Sequence, residues 1–196
     1  MNNNTVYPTN EQAKLLSSYR SARLDVLLIV AFTLINILLT ISGADTYFLF
    51  SAYIPFDLVL TTMFVCGKLP SDWYVNVPAE FEFLDVSLFY LSLAVAAICI
   101  LLYVICLIFS SKNRYGWLIA ALVFFSLDTL YLLSAFDASI LIDLVLHAVA
   151  IVGLARGVHA GHRLKSLPPV EDHTFATTYT TTASDSSQNT SSSDEF

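Results

Sequence analysis

Asp128, Asp143 and His147 are ionisable residues set inside two consecutive apolar stretches, 115–135 and 139–158. A charge at the centre of a bilayer costs at least ~2.5–3.5 kcal/mol on insertion scales, so such groups pair, line a polar cavity or do chemistry. If the two stretches form a helical hairpin, its midpoint falls near residues 137–138, with Asp128 and His147 equally far from it. The two then share one membrane depth. Asp143 stands one turn from His147 on the same helix face. Three kinds of chemistry suit this set. The first is structural: an Asp128–His147 pair ties the hairpin, with Asn36 satisfying a remaining lone pair. The second is proton uptake and relay for transport or sensing, because an apolar site raises carboxyl pKa values and an imidazole passes protons on. Four helices are few for a transporter, so this reading needs an oligomer or a partner. The third is a divalent metal site. Asp143 and His147 form an Asp-x-x-x-His pair, which Asp128 or Asp57 completes while leaving a position open for water.

The elements that position these residues are helices in lipid. Of 196 residues, 56% are hydrophobic and 13% charged, against about 25% charged in an ordinary soluble domain. Mean hydropathy is +0.68. The expected fold is an all-α membrane protein with one compact domain over 24–165 and spans at 24–42, 86–109, 115–135 and 139–158, each near the ~20 residues needed to cross. Residues 1–8 read as disordered. Thr9 or Asn10 then caps a short amphipathic helix that completes the N-terminal segment 1–23. Ser42 and Ala44 imitate a signal-peptidase site. The long stretch before the first apolar run and the three spans after it favour an uncleaved anchor. The Ser/Thr-rich tail 166–196 has few apolar residues and reads as a disordered cytoplasmic tail.

The segment 46–67 is long enough to cross, but Pro55 interrupts it and Asp57 follows at once. Residues 68–85 are polar and acidic, with Trp73 and Tyr74 suited to an interface. Basic residues cluster at Lys14, Arg20 and Arg23, at Lys112 and Arg114, and at Arg156, Arg163 and Lys165. The positive-inside rule places all three groups, and so both termini, in the cytoplasm of a plasma-membrane protein. An even number of crossings then separates residue 23 from residue 112. Segment 46–67 is therefore expected to be a Pro-broken, helix–break–helix lid on the outer side, re-entrant or interfacial. A fifth crossing is the alternative, and it would leave one basic cluster outside.

Charge and cysteine usage narrow the function classes. The net charge of −7 comes from acids in the tail and in 68–85, and no basic patch suits nucleic acid. Cys99 and Cys106 share one helix and cannot bridge there, and Cys66 lies in another segment, so all three read as small apolar residues. The chain has no phosphate-binding glycine loop, Cys-x-x-Cys pair, nucleophile elbow or internal repeat.

Each span carries a stripe of polar or small residues. Thr33, Asn36 and Thr40 share a face of the first, and Ser92, Ala96, Cys99, Tyr103 and Cys106 one of the second. Gly157 and Gly161 share the face of Asp143 and His147, with Gly153 beside it. Small residues let helix backbones approach closely in lipid, so that face is expected to point into the bundle. Asn36 and Asp128 belong to the outer half, with Asp57 above them. The set Asn36, Asp57, Asp128, Asp143 and His147 is thus expected to converge on one outward-facing polar site. His159 and His162, one turn apart, read as a metal clip or as a solvated turn. Asp25 is expected to pair with Arg20 or a headgroup.

The run SGADTYFLFSAYIPF, the stretch GWLIAALVFFSLDTLYLL and the segment Ile142–His147 resemble a group of small, uncharacterised four-span integral membrane proteins of Gram-positive bacteria. The resemblance covers roughly residues 18–165. It implies a bacterial plasma membrane and the four-span layout, and carries no activity or site. The sequence thus points to a non-catalytic membrane component or accessory subunit with a buried Asp/His site for a proton, cation or small polar group. Its expected surroundings are the lipid bilayer and further copies or a membrane-protein partner. The alternative is a metal-dependent membrane enzyme acting at the outer leaflet.

Overall fold

The computed structural model describes residues 9–44, 46–112, 114–134 and 140–167. The expected hairpin midpoint, residues 1–8 and the tail beyond 167 lie outside these. The elements are α1 (Asn10–Ile41), α2 (Tyr53–Val65), α3 (Ser87–Phe109), α4 (Tyr115–Ser134) and α5 (Leu141–Lys165), with single 3₁₀ turns at Ser71–Tyr74 and Ser110–Lys112. No strand occurs among the described residues. Helices α1, α3, α4 and α5 are long and apolar enough to cross a membrane.

Helix α1 departs from expectation by running 32 residues without a break. No Gly or Pro occurs between Asn10 and Ile41, so nothing separates the amphipathic start from the apolar span. Thr9 is the N-cap, in a reciprocal capping box with Gln12. The helix ends where Gly43 takes φ +76°, a conformation open to glycine at little cost.

Segment 46–67 also differs from the expected helix–break–helix. Residues 46–52 form no helix, and Pro55 lies in the first turn of α2. Proline interrupts a helix in its interior but is tolerated in its first turn, where the N–H has no intrahelical partner. Pro55 therefore helps to start α2. The non-helical stretch descends beside α1: Phe48 meets Asn36, and Ala52 meets Thr33. Thr33 is about 12 Å along the axis from Ile41 at 1.5 Å per residue. Helix α2 then returns along α3, where the Thr62 and Ser92 hydroxyls lie 2.6 Å apart.

The basic residues other than Lys68 gather toward the opposite end. There Tyr19 donates to the Ser110 carbonyl at 2.7 Å, Arg23 donates to the Ser110 hydroxyl, and Arg163 meets Glu11 at 2.9 Å. The glycines of α5 make its close approach to α1. A Cβ on Gly157 would collide with Ala22, and one on Gly161 would lie 2.7 Å from Tyr115 Cβ and 2.8 Å from the Tyr19 ring. The inward face expected from the glycine stripe is the face found. Ile29, Phe125 and Leu154 fill the core, while Leu38, Leu130 and Ile142 on the outside are each more than 60% exposed. Apolar exposure on that scale suits lipid, not water.

Candidate functional site

The site is built around the backbone of residues 48–54. The start of any helix leaves N–H groups without intrahelical partners, and in lipid each such group costs several kcal/mol. Ala52, the N-cap of α2, offers no side-chain oxygen to its own helix. Other helices supply the acceptors. The Ala52 N–H donates to Thr33 Oγ1 at 2.8 Å. Tyr53 and Ile54 donate to the two oxygens of Asp128, both at 2.8 Å. The next residue, Pro55, has no N–H to satisfy. Side chains of α1 and α4 thus cap α2 completely.

Just before this turn, Asn36 clamps the chain from α1. Its carbonyl accepts from Phe48 N–H at 2.6 Å, and its amide donates to the Phe48 carbonyl at 2.7 Å and the Ser51 hydroxyl at 2.8 Å. Between these points Phe50 holds φ +70°, a left-handed conformation costly for a residue with a side chain. Its N–H faces Asp143 Oδ1 across 3.4 Å. Thr33, Asn36, Asp128, Asp143 and His147 are all buried.

His147 lies between the two carboxylates and is fully buried. Its ring stacks on Phe125, with centroids 4.8 Å apart and planes within 7°. Nδ1 sits 2.9 Å from the Asp143 backbone carbonyl and 3.5 Å from its carboxylate. A carbonyl only accepts, so Nδ1 carries a proton. Nε2 faces Asp128 Oδ2 at 3.5 Å and makes no hydrogen bond. A bare Nε2 lone pair would point at a carboxylate oxygen, acceptor against acceptor. A doubly protonated ring turns that contact into attraction.

Asp128, Asp143 and His147 come together, and Asn36 holds the same segment. Asn36 does not satisfy Asp128, as the structural reading of the sequence expected. Asp57 stands apart: its partly exposed carboxylate accepts from the Tyr131 hydroxyl at 2.9 Å. The two acids flank opposite nitrogens of one ring. Among the described residues no group of three His, Cys, Asp or Glu side chains is placed to hold a metal ion. His162 packs edge-on against Tyr115, 5.5 Å between ring centroids. Thr33 and Ser51 join the site without having stood out in the sequence as site residues. The Thr33–Asn36–Thr40 stripe is the available signal, but its partner is backbone, which side-chain spacing does not reveal.

Four apolar helices around a buried acid–imidazole–acid group are compatible with a multi-pass membrane protein. Comparison with family models, curated proteins and solved structures finds no match in any of the three.

Proposed function

We propose that the chain is a non-catalytic component of a bacterial plasma membrane, in which Asp128, His147 and Asp143 hold a proton that fixes a re-entrant lid, residues 46–67. The basic end faces the cytoplasm with both termini, and the lid opens outward. The layout of basic residues and the resemblance to small Gram-positive membrane proteins support this placement. The protein works as an accessory subunit, beside copies of itself or a membrane-protein partner.

One observation carries the reading. Both nitrogens of His147 face acceptors while the flanking carboxylates grip lid backbone. Removing a ring proton sets Nε2 against Asp128. The simplest relief moves Asp128 off Tyr53 and Ile54, and the lid loosens. Proton binding thereby couples to lid position.

The test is hydrogen–deuterium exchange of residues 46–56 in lipid nanodiscs across a pH series, with metal content measured on the same samples. Protection of Tyr53 and Ile54 is expected to fall as pH rises in the wild type and to be low at every pH in His147→Ala. Protection independent of pH in both proteins overturns the coupling. A stoichiometric metal lost in His147→Ala replaces the reading with the metal-dependent enzyme.

A further inference from the structure

A second site lies on the outer face of the α1–α5 pair, away from the lid cluster. An open hollow of 540 Å³ runs along α5, lined by Val145, Val149 and Val152, with Phe50 also in its wall and Asp25 contributed by α1. Asp25 and Arg156 stand in it at the basic end. A second hollow of 470 Å³ continues past Arg156 and adds Ser18 and His159. Val145 to Arg156 spans about 17 Å at 1.5 Å per residue. That is close to half of the ~30 Å hydrocarbon core. The groove is therefore one leaflet deep, apolar inward and polar at its mouth.

Asp25 gives the mouth a distinct chemistry. It belongs to the apolar run of α1, yet among the described residues no hydrogen bond or ion pair reaches it. Asp25 makes no ion pair with Arg20, one of the two partners expected from the sequence; a headgroup is the other. Glycine at 153 makes the room: a Cβ there would lie 2.6 Å from Asp25 Oδ2. The carboxylate sits about one helix turn deeper than Arg156, because it lies against Gly153. Arg156 and His159 are both exposed at the surface of α5.

We propose that this groove binds a single-chain phospholipid of the leaflet at the basic end. Arg156, His159 and Ser18 take the phosphate. Asp25 accepts a hydrogen bond from the free glycerol hydroxyl beside it, and the acyl chain lies along Val152, Val149 and Val145 toward Phe50. The order phosphate, hydroxyl, chain in such a lipid matches the order guanidinium, carboxylate, apolar wall in the groove. A lipid esterified at that hydroxyl offers Asp25 no donor and has a second chain with no groove to enter. The proposal rests on the chain being membrane-embedded, and it does not depend on the proton reading of His147.

The test is native mass spectrometry of the detergent-solubilised full chain, titrated with 1-oleoyl-glycerol 3-phosphate. The same lipid lacking the hydroxyl, the diacyl lipid, oleate and glycerol 3-phosphate serve as separate probes. One lipid per chain is expected, bound about tenfold more weakly without the hydroxyl, in Asp25→Ala and in Arg156→Gln, as loss of a hydrogen bond to a charged group implies. Glycerol 3-phosphate or oleate alone binds far more weakly. Equal binding of the diacyl lipid, or binding unchanged in both variants, overturns the proposal and leaves ordinary lipid solvation. Equal binding of glycerol 3-phosphate also overturns it, leaving a free-phosphate site. Wild-type protection of Tyr53 and Ile54 in each variant establishes that the fold and the lid are intact.

Discussion

Asp128 caps a helix that begins 75 residues earlier in the chain: its carboxylate receives the Tyr53 N–H at 2.8 Å. A capping residue ordinarily precedes its own helix and bonds locally. Here the acceptor comes from α4, because Ala52 has none to give. The arrangement makes a buried acid the condition for a helix to start at depth.

Replacing Asp128 therefore unfastens α2 before it disturbs the bundle. Asp128→Ala is expected to lower stability by about 3–5 kcal/mol, the range for breaking a buried charged contact. Asp128→Asn keeps one acceptor and loses less. Thermal unfolding in nanodiscs reads the order wild type, Asn, Ala. A fall for Asp57→Asn as large as for Asp128→Ala would contradict the distinct placement of the two acids.

Thr33 acts through one oxygen. Thr33→Val keeps the shape but leaves the Ala52 N–H unpaired, at about 1–3 kcal/mol. Thr33→Ser restores the acceptor and most of the stability. Amide exchange at Ala52 separates the two variants, since only Val exposes it.

Glycines at the α1–α5 contact are not interchangeable with others. Gly157→Ala drives a methyl into Ala22 and is expected to cost about 1–3 kcal/mol of overpacking. Gly116, where an added methyl would meet nothing within 4 Å, tolerates alanine. Parallel thermal melts of the two variants check this.

The acid limb of stability includes Asp85, outside the spans. Hydrogen bonds from Ser87, chiefly from its side chain and then its backbone N–H, hold the Asp85 carboxyl below its ordinary pKa. A lowered folded-state pKa gives a contribution present above the unfolded value and lost as pH falls through the folded one. Ser87→Ala is expected to move the Asp85 titration upward, read by carbon NMR of the carboxyl. An unmoved titration would remove the Ser87 side chain as the cause.

Much of this is legible in the sequence. Apolar runs of crossing length locate α1, α3, α4 and α5, and the stripe through Gly157 and Gly161 finds the buried face of α5. Equal distance from the hairpin midpoint pairs Asp128 with His147, and the two side chains lie 3.5 Å apart. Pro55 misleads because its effect depends on position within a helix, and the start of α2 is set by Asp128, far away in sequence. The continuity of α1 past Arg23 escapes a hydropathy reading because hydropathy changes there while helix propensity does not. The backbone of residues 48–54 as the partner of Thr33, Asn36 and Asp128 is beyond side-chain spacing altogether, since backbone polar groups are the same in every residue but proline.

On the proposed reading, His147 carries two protons between its carboxylates. Nitrogen-15 NMR of histidine-labelled protein in bilayers, assigned with His147→Ala, tests it directly. Both ring nitrogens of His147 are expected to be protonated while the Tyr53 and Ile54 amides are protected. A neutral ring with a bare Nε2, in a sample whose Tyr53 and Ile54 amides remain protected, would contradict it.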